Sequence, residues 1–373
     1  MQSFKQMTNE CIQIGLENEA STLRRLSLLS YQSLARFRVP SKYKLCAISK
    51  AAGILASRKK SLRRGYPTRS PYQKRPMLTC CYDFKVVDDF LCIPIGYHKY
   101  GEIKLNRHTL EVLSDTTLKV NSFRLTETSL SISYSKEVEG VKGLASSVGV
   151  DRNLRNLTVG EGKKVTYYSM SRVVDVAENT KSVVKSFKRD DVRIRREIVS
   201  KYGRRRHGRT QNILHRVSKL VVADSVKDEQ VITFEDIRDI RRLYQRGNGQ
   251  GRSYRGMMNS WPYAEIKRQI EYKAAWAGIP VVRLTKSETR GTSSDCFRCG
   301  ERLQGAARDD VQHRREFWCP KCEVWLDRDL VAVMNISHEG WVRFAHSKGE
   351  AIEAMRGNQT MPVILSRCLE GEH

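Results

Sequence analysis

The sequence predicts an α/β protein with three successive textures. N-terminal helices come first, then a small antiparallel β region, then an α/β half interrupted by paired cysteines. Three observations carry this. Apolar residues recur at helical spacing up to about residue 65. Apolar and polar residues alternate in short runs between 78 and 138, as in Leu130-Ser131-Ile132-Ser133-Tyr134. Beyond residue 144, apolar runs that read as buried strands alternate with helical patterns.

Taken in order, Leu16, Ala20, Leu23 and Leu34 fall near one helical face, and Pro40 ends that segment. A second helix places Leu45, Ile48, Ala52 and Leu55 inward and closes on Arg58, Lys59, Lys60, Arg63, Arg64 and Gly65. Pro67, Pro71 and Pro76 mark an irregular crossing. Ile103-Lys104-Leu105 and Leu118-Lys119-Val120 continue the alternation, so residues 66–143 read as a small antiparallel sheet or barrel. Ser147-Val148-Gly149-Val150 then reads as a strand ending on Asp151, and Val231-Ile232-Thr233-Phe234 as one ending on Glu235-Asp236. A helix from Tyr263 to Ala277 and a strand Val281-Val282-Arg283-Leu284 follow, with Trp261, Tyr272 and Trp276 read as core. The tail after Ile336 carries little pattern.

Composition narrows the class of partner. Among 373 residues, 67 Lys and Arg face 41 Asp and Glu, a net charge of +26. Self-repulsion on that scale fits a polyanionic partner, and nucleic acid is the natural one. The hydrophobic content of 40% argues against disorder. Neither an apolar run of membrane-spanning length nor a secretion-type N-terminus is found, so a cytoplasmic location is expected, nucleoid-associated in a prokaryote. Ten cysteines are too sparse for a disulfide scaffold.

Four cysteines are spaced for a metal. Cys296-Phe297-Arg298-Cys299 is followed after 19 residues by Cys319-Pro320-Lys321-Cys322. Each knuckle turns two sulfurs toward one ion, and Gly300 permits the first tight turn. Four thiolates leave no open position, so the expected ion is a structural zinc. His313 lies in the intervening loop and is expected to be exposed. The other six cysteines, including the vicinal Cys80-Cys81, read as packing residues.

Three acids stand in suggestive places. Asp151 and Glu235 end apolar strands, and Asp327-Arg328-Asp329 follows the second knuckle and opens the helical stretch Leu330 to Ile336. Phosphodiester hydrolysis without a covalent step benefits from two divalent ions, and Mg²⁺ prefers carboxylate oxygens. Singly each acid is weak; jointly, in a strongly basic chain, they point to nucleic-acid hydrolysis.

Together these residues resemble the TnpB family of transposon-encoded RNA-guided nucleases, related to compact type V CRISPR effectors. Val148-Gly149-Val150-Asp151 through Asn156-Leu157-Thr158 is similar to the first RuvC motif, and Ile232-Thr233-Phe234-Glu235-Asp236-Ile237 to the second. Thr292-Ser293-Ser294-Asp295-Cys296-Phe297-Arg298-Cys299-Gly300 resembles the family's cysteine segment, and Asp327-Arg328-Asp329 through Asn335-Ile336 its third motif. Trp261 and Tyr272-Lys273-Ala274 fit the helix between motifs two and three. Order and spacing agree over about residues 144–337. Asn153 stands where many members have Gly, and Val331 where they have Asn.

The resemblance implies an RNase H-like (RuvC) core split by a zinc-ribbon insertion. Its implied parts are a helical recognition-like region (1–65), a wedge-like β domain (66–143), a nuclease core (144–291) with a basic helical insertion (181–220), a target-nucleic-acid-binding zinc ribbon (292–325), a third motif (326–337) and a tail (338–373). A helical start, where relatives begin with a barrel strand, predicts an incomplete wedge. It further implies a guide RNA from the transposon end, a DNA target, and Mg²⁺ held by Asp151, Glu235 and Asp329, with Asp327 as the alternative third ligand. From Lys181 to Arg216 there are 13 basic and 3 acidic residues, and Lys201, Arg204, Arg205, Arg206 and Arg209 are expected to line the guide–target channel. The expected activity is hydrolytic DNA cleavage. The rival readings are a weak or inactive RNA-guided repressor and a transposase accessory protein.

Overall fold

The computed structural model describes residues 1–96, 98–162, 164–187, 190–235, 237, 243–307, 310, 312–313 and 315–347, and the backbone of 363–367. Asp236, named above beside Glu235, lies outside the described residues, as do 188 and 189 of the basic segment. The architecture is mixed α/β with four sheets among the described residues. The chain divides into two units, Met1–Glu137 and Val138–His373.

The first unit opens with α1 (Gln2–Glu17), α2 (Leu23–Ser30), a 3₁₀ turn (Ser33–Arg36) and α3 (Ser41–Arg63). Then come β1 (Leu78–Cys80), β2 (Lys85–Val87), β3 (Phe90–Gly96), β4 (Lys99–Lys104), α4 (Arg107–Leu113), β5 (Lys119–Leu125) and β6 (Leu130–Ser135). The strands form two antiparallel sheets, ordered β1-β5-β6 and β2-β3-β4. A sheet with one apolar face must bury it against something. Here helices supply the cover: Phe4, Met7, Ile12 and Ile48 share one core with Leu78, Leu91 and Phe123. Two positions expected inward lie outward, Leu23 at 52% and Leu45 at 36% exposure. Leu23 begins a separate helix, and Leu45 sits at the edge of the arc centred on Ile48, Ala51 and Leu55.

The second unit is built on a six-stranded sheet, ordered β11-β10-β7-β8-β9-β15. An antiparallel meander comprises β7 (Ser146–Arg152), β8 (Asn156–Glu161) and β9 (Lys164–Ser169). Helices α5 (Ser171–Ser186) and α6 (Val192–Lys227) lead to β10 (Gln230–Glu235), parallel to β7. Helices α7 (Arg252–Ser260) and α8 (Tyr263–Trp276) lead to β11 (Val281–Leu284), parallel to β10. Strands β12 (Gln304–Gly305), β13 (Glu316–Cys319) and β14 (Val324–Asp327) form a separate small sheet, and α9 (Arg328–Ser347) follows at once. Strand β15 (Val363–Arg367) pairs parallel to β9.

Helices cover both faces of this sheet. Val148, Val150 and Phe234 pack with Leu214, Val217 and Val221 of α6 and Ile266 and Ile270 of α8. Helix α9 packs across β7, β8, β10 and β11. It continues well beyond Ile336, where the sequence pattern fades, because Gly340, Phe344 and Ala345 remain buried. Trp261 is in the core at 3% exposure, but Trp276 at the end of α8 is 41% exposed and Tyr272 only partly buried. No helix among the described residues is long and apolar enough to cross a membrane.

Candidate active site and cysteine metal centre

Strand alternation sets up the acidic site. Val148 and Val150 of β7 point into the core formed with α6 and α8, so Gly149 and Asp151 belong to the opposite face. That face meets α9 closely: a Cβ on Gly149 would come 2.2 Å from the Val333 carbonyl oxygen and 2.8 Å from the Ser337 nitrogen. Strand β10 runs parallel with Phe234 opposite Val150, which brings Glu235 level with Asp151. Asp329 is 4% exposed in the first turn of α9. The three acids therefore come from two adjacent strand ends and one helix start.

The acids also act on one another electrostatically. Burial, then the carboxylates of Glu235 and Asp329, push the Asp151 carboxyl up to about 6, against a smaller opposing effect of the Asn153 side chain. Asn153 Nδ2 donates to Asp151 Oδ2 at 2.8 Å, and Asn156 Nδ2 to Asp329 Oδ2 at 2.9 Å. Thr292 Oγ1 donates to Glu235 Oε1 at 2.7 Å. Asn335 Nδ2 of α9 holds the Thr292 carbonyl at 3.0 Å and the Asp295 carbonyl at 2.8 Å, tying the helix to the start of the cysteine segment. Among the described residues the three acids do not form one cage with every donor oxygen within 4.8 Å of the others.

Asp327 does different work. Its Oδ1 accepts the backbone amides of Asp329 at 2.9 Å and Leu330 at 3.0 Å, and the Tyr167 hydroxyl at 3.0 Å. That is helix N-capping, which occupies the oxygen with otherwise orphaned amides.

The four cysteines converge. Their sulfurs all lie within 4.8 Å of one another, with Cys299 and Cys319 3.5 Å apart and Cys296 and Cys322 4.0 Å apart. Gly300 takes φ +76 as its amide bonds the Cys296 carbonyl at 2.8 Å. The second knuckle makes the same turn with Glu323 at φ 53 and its amide on the Cys319 carbonyl at 2.9 Å. Four soft thiolates at this spacing fit a tetrahedral zinc ion. His313 is not exposed as expected: its side chain is 23% exposed, because it stacks on Trp325 at 4.1 Å and pairs with Asp310.

With this geometry described, comparison with known proteins becomes informative. The family model for the Cas12f1-like TNB domain matches residues 263–336. The TnpB-like protein MJ0751 of Methanocaldococcus jannaschii is 25% identical over 268 residues, 68% of this chain and 91% of that one. The chain is thus similar to a TnpB-like protein over two thirds of its length and to the Cas12f1-like TNB domain over residues 263–336. Its fold is Cas12f-like: the cryo-EM structure of a Cas12f1–sgRNA–target DNA complex superposes with TM-score 0.56 at 13% identity, covering 90% of this chain and 81% of that one.

The basic segment falls on the end of α5 and most of α6, and the 36 residues of α6 span about 54 Å. Leu214, Val217, Val221 and Val222 anchor its C-terminal half in the core. Lys201, Arg204, Arg205 and Arg209 are exposed on the other half, and among the described residues no carboxylate pairs with them. Arg206 differs: it is partly buried, and its Nη2 bonds the Ser260 carbonyl at 3.3 Å. One residue at the acidic site escaped the sequence reading. Arg315, just before β13, places Nη2 2.7 Å from Asp329 Oδ2. Nothing in its sequence surroundings marks it. Asn156 and Thr292 lay within recognised motifs, which was the available signal for them.

Proposed function

We propose that the protein is a transposon-encoded, RNA-guided DNA endonuclease that hydrolyses its target at a RuvC-like site. One observation carries this: Asp151 and Glu235 end adjacent parallel strands, and Asp329 opens the helix that packs on them, so that both acids add to burial in raising the Asp151 carboxyl. The sheet order, an antiparallel meander flanked by two parallel strands, supports an RNase H-like core. Sites in open α/β sheets form at the carboxyl ends of parallel strands, where Asp151 and Glu235 stand.

Asp151, Glu235 and Asp329 are the residues to hold Mg²⁺. The three acids do not close on a single ion, and two ions are the proposed complement. Bound there, Mg²⁺ would supply an activated water and stabilise the leaving oxygen. The chain's own contribution is orientation. Asn153, Thr292 and Asn156 each hold one carboxylate oxygen and leave the other oxygen of that acid for a ligand. Arg315 keeps a positive charge beside Asp329.

The remaining parts follow the same reading. The exposed arginines of α6 contact the backbone of a guide–target duplex, with guide RNA drawn from the transposon end. The zinc ribbon, 292–325, contacts target nucleic acid. Asp151→Ala, purified with its co-expressed RNA, should lose DNA cleavage while retaining RNA affinity. Cleavage at the wild-type rate by that variant refutes the catalytic assignment. Sequencing the co-purified RNA tests the guide: a random RNA population would refute it.

A further inference from the structure

Three cysteines read from sequence as packing residues meet in the first unit. Cys46 of α3 places its Sγ 3.6 Å from Cys80 Sγ at the end of β1, and 3.9 Å from Cys81 Sγ. Cys46 and Cys80 are buried and Cys81 is exposed. All three line a cavity of about 460 Å³ whose wall also carries Lys50 and Arg124. Cys81 is thus solvent-exposed on a cavity that brings two further thiols within reach of its sulfur, unlike thiols sealed in apolar packing.

We propose that Cys46, Cys80 and Cys81 form a redox-active three-thiol centre that closes a Cys46–Cys81 disulfide on exposure to a peroxide. The electron balance is simple. The Cys81 thiolate attacks hydrogen peroxide, the O–O bond breaks, and hydroxide leaves, giving a sulfenic acid on Cys81. Cys46 sulfur then attacks Cys81 Sγ; the S–S bond forms and the S–O bond breaks. The Cys46 proton passes by way of the Cys80 thiolate to the departing hydroxide, which leaves as water, and the proton lost when Cys81 ionised converts the first hydroxide to water. In sum, two thiols and one peroxide give one disulfide and two waters.

The geometry asks little movement. A disulfide needs sulfurs at about 2 Å, so the 3.9 Å Cys46–Cys81 separation must shorten by about 2 Å. Cys80 is placed to take the proton: the Cys46 S–H points to it and holds the Cys80 thiol below its usual range. Partial burial raises the Cys81 thiol, which makes this a slow sensor rather than a fast peroxidase. The bond would staple α3 to the end of β1. The zinc knuckles are a separate cysteine cluster in the other unit, so the two can be scored separately.

The test treats the full-length, zinc-loaded protein with hydrogen peroxide, blocks remaining thiols with N-ethylmaleimide, and maps disulfides by mass spectrometry without reductant. The expected result is a cross-link between the peptide containing Cys46 and that containing Cys80 and Cys81, with Cys11 and Cys92 still blocked by maleimide. Cys81→Ser should abolish the Cys46 cross-link, and Cys80→Ser should slow but retain it. Cys46 recovered as the maleimide adduct throughout would overturn the proposal. So would a Cys46 cross-link that forms equally fast in the Cys81→Ser protein, since Cys81 would then not be the oxidised residue.

Discussion

Asp151 shows how function costs stability at a single residue. Its carboxyl is raised from 3.8 to about 6 by burial and by two acidic neighbours. A raised folded-state pKa means the native state holds its proton more tightly than the unfolded chain. Stability from this group is therefore complete below about pH 4 and lost as pH climbs through about 6. In magnesium-free buffer at pH 8, Asp151→Asn should stabilise the protein by about 1–3 kcal/mol while abolishing cleavage. Thermal denaturation from pH 4 to 8 should show the gap between variant and wild type opening across that window. A constant gap would contradict the electrostatic account. Arg315 adds a second residue-scale expectation: Arg315→Ala should leave the buried Asp329 without its 2.7 Å ion-pair partner and lower the urea midpoint at pH 7 relative to wild type.

At the scale of elements, α9 is the part that completes the site. It brings Asp329 to the strand ends by lying directly on Gly149, where any Cβ would collide with the helix backbone. Gly149→Ala must shift the helix or the strand. The expected cost is about 1–3 kcal/mol, measurable by urea denaturation, with reduced cleavage because Asp329 moves with α9. The four-cysteine segment feeds the same helix, since β14 passes directly into α9. Replacing Cys296 and Cys299 with Ser should therefore release zinc and loosen residues 292–325. Metal analysis and hydrogen exchange check this together, and full zinc content in the double variant would rule the ligand set out.

For the whole molecule, the charge of +26 governs binding. Each phosphate contact contributes about −0.7 to the slope of log affinity against log salt for single strands. Removing Lys201, Arg204, Arg205 and Arg209 should flatten that slope by about 3 if all four contact RNA. An unchanged slope would place the interface elsewhere. Arg206 is left out of the set because Ser260 already holds it.

Much of this was legible in the residues alone. Buried parallel strands announce themselves as apolar runs, so β7, β10 and the acids at their ends could be read directly. Paired knuckles carry a spacing suited to a shared metal ion, and the structure brings their four sulfurs together. What required the fold were the choices made by long-range contacts. The sequence favoured Asp329 over Asp327 only by its place before the helical stretch, and the helix start, where Asp327 caps two amides, gives Asp327 a structural role the chain alone did not show. Arg315 reaches Asp329 because β13 and β14 pair, and Cys46 reaches Cys81 because α3 packs beside β1. Local pattern determined which elements form and which residues end them. Only tertiary packing decided which side chains meet, because proximity between distant segments has no period in the chain.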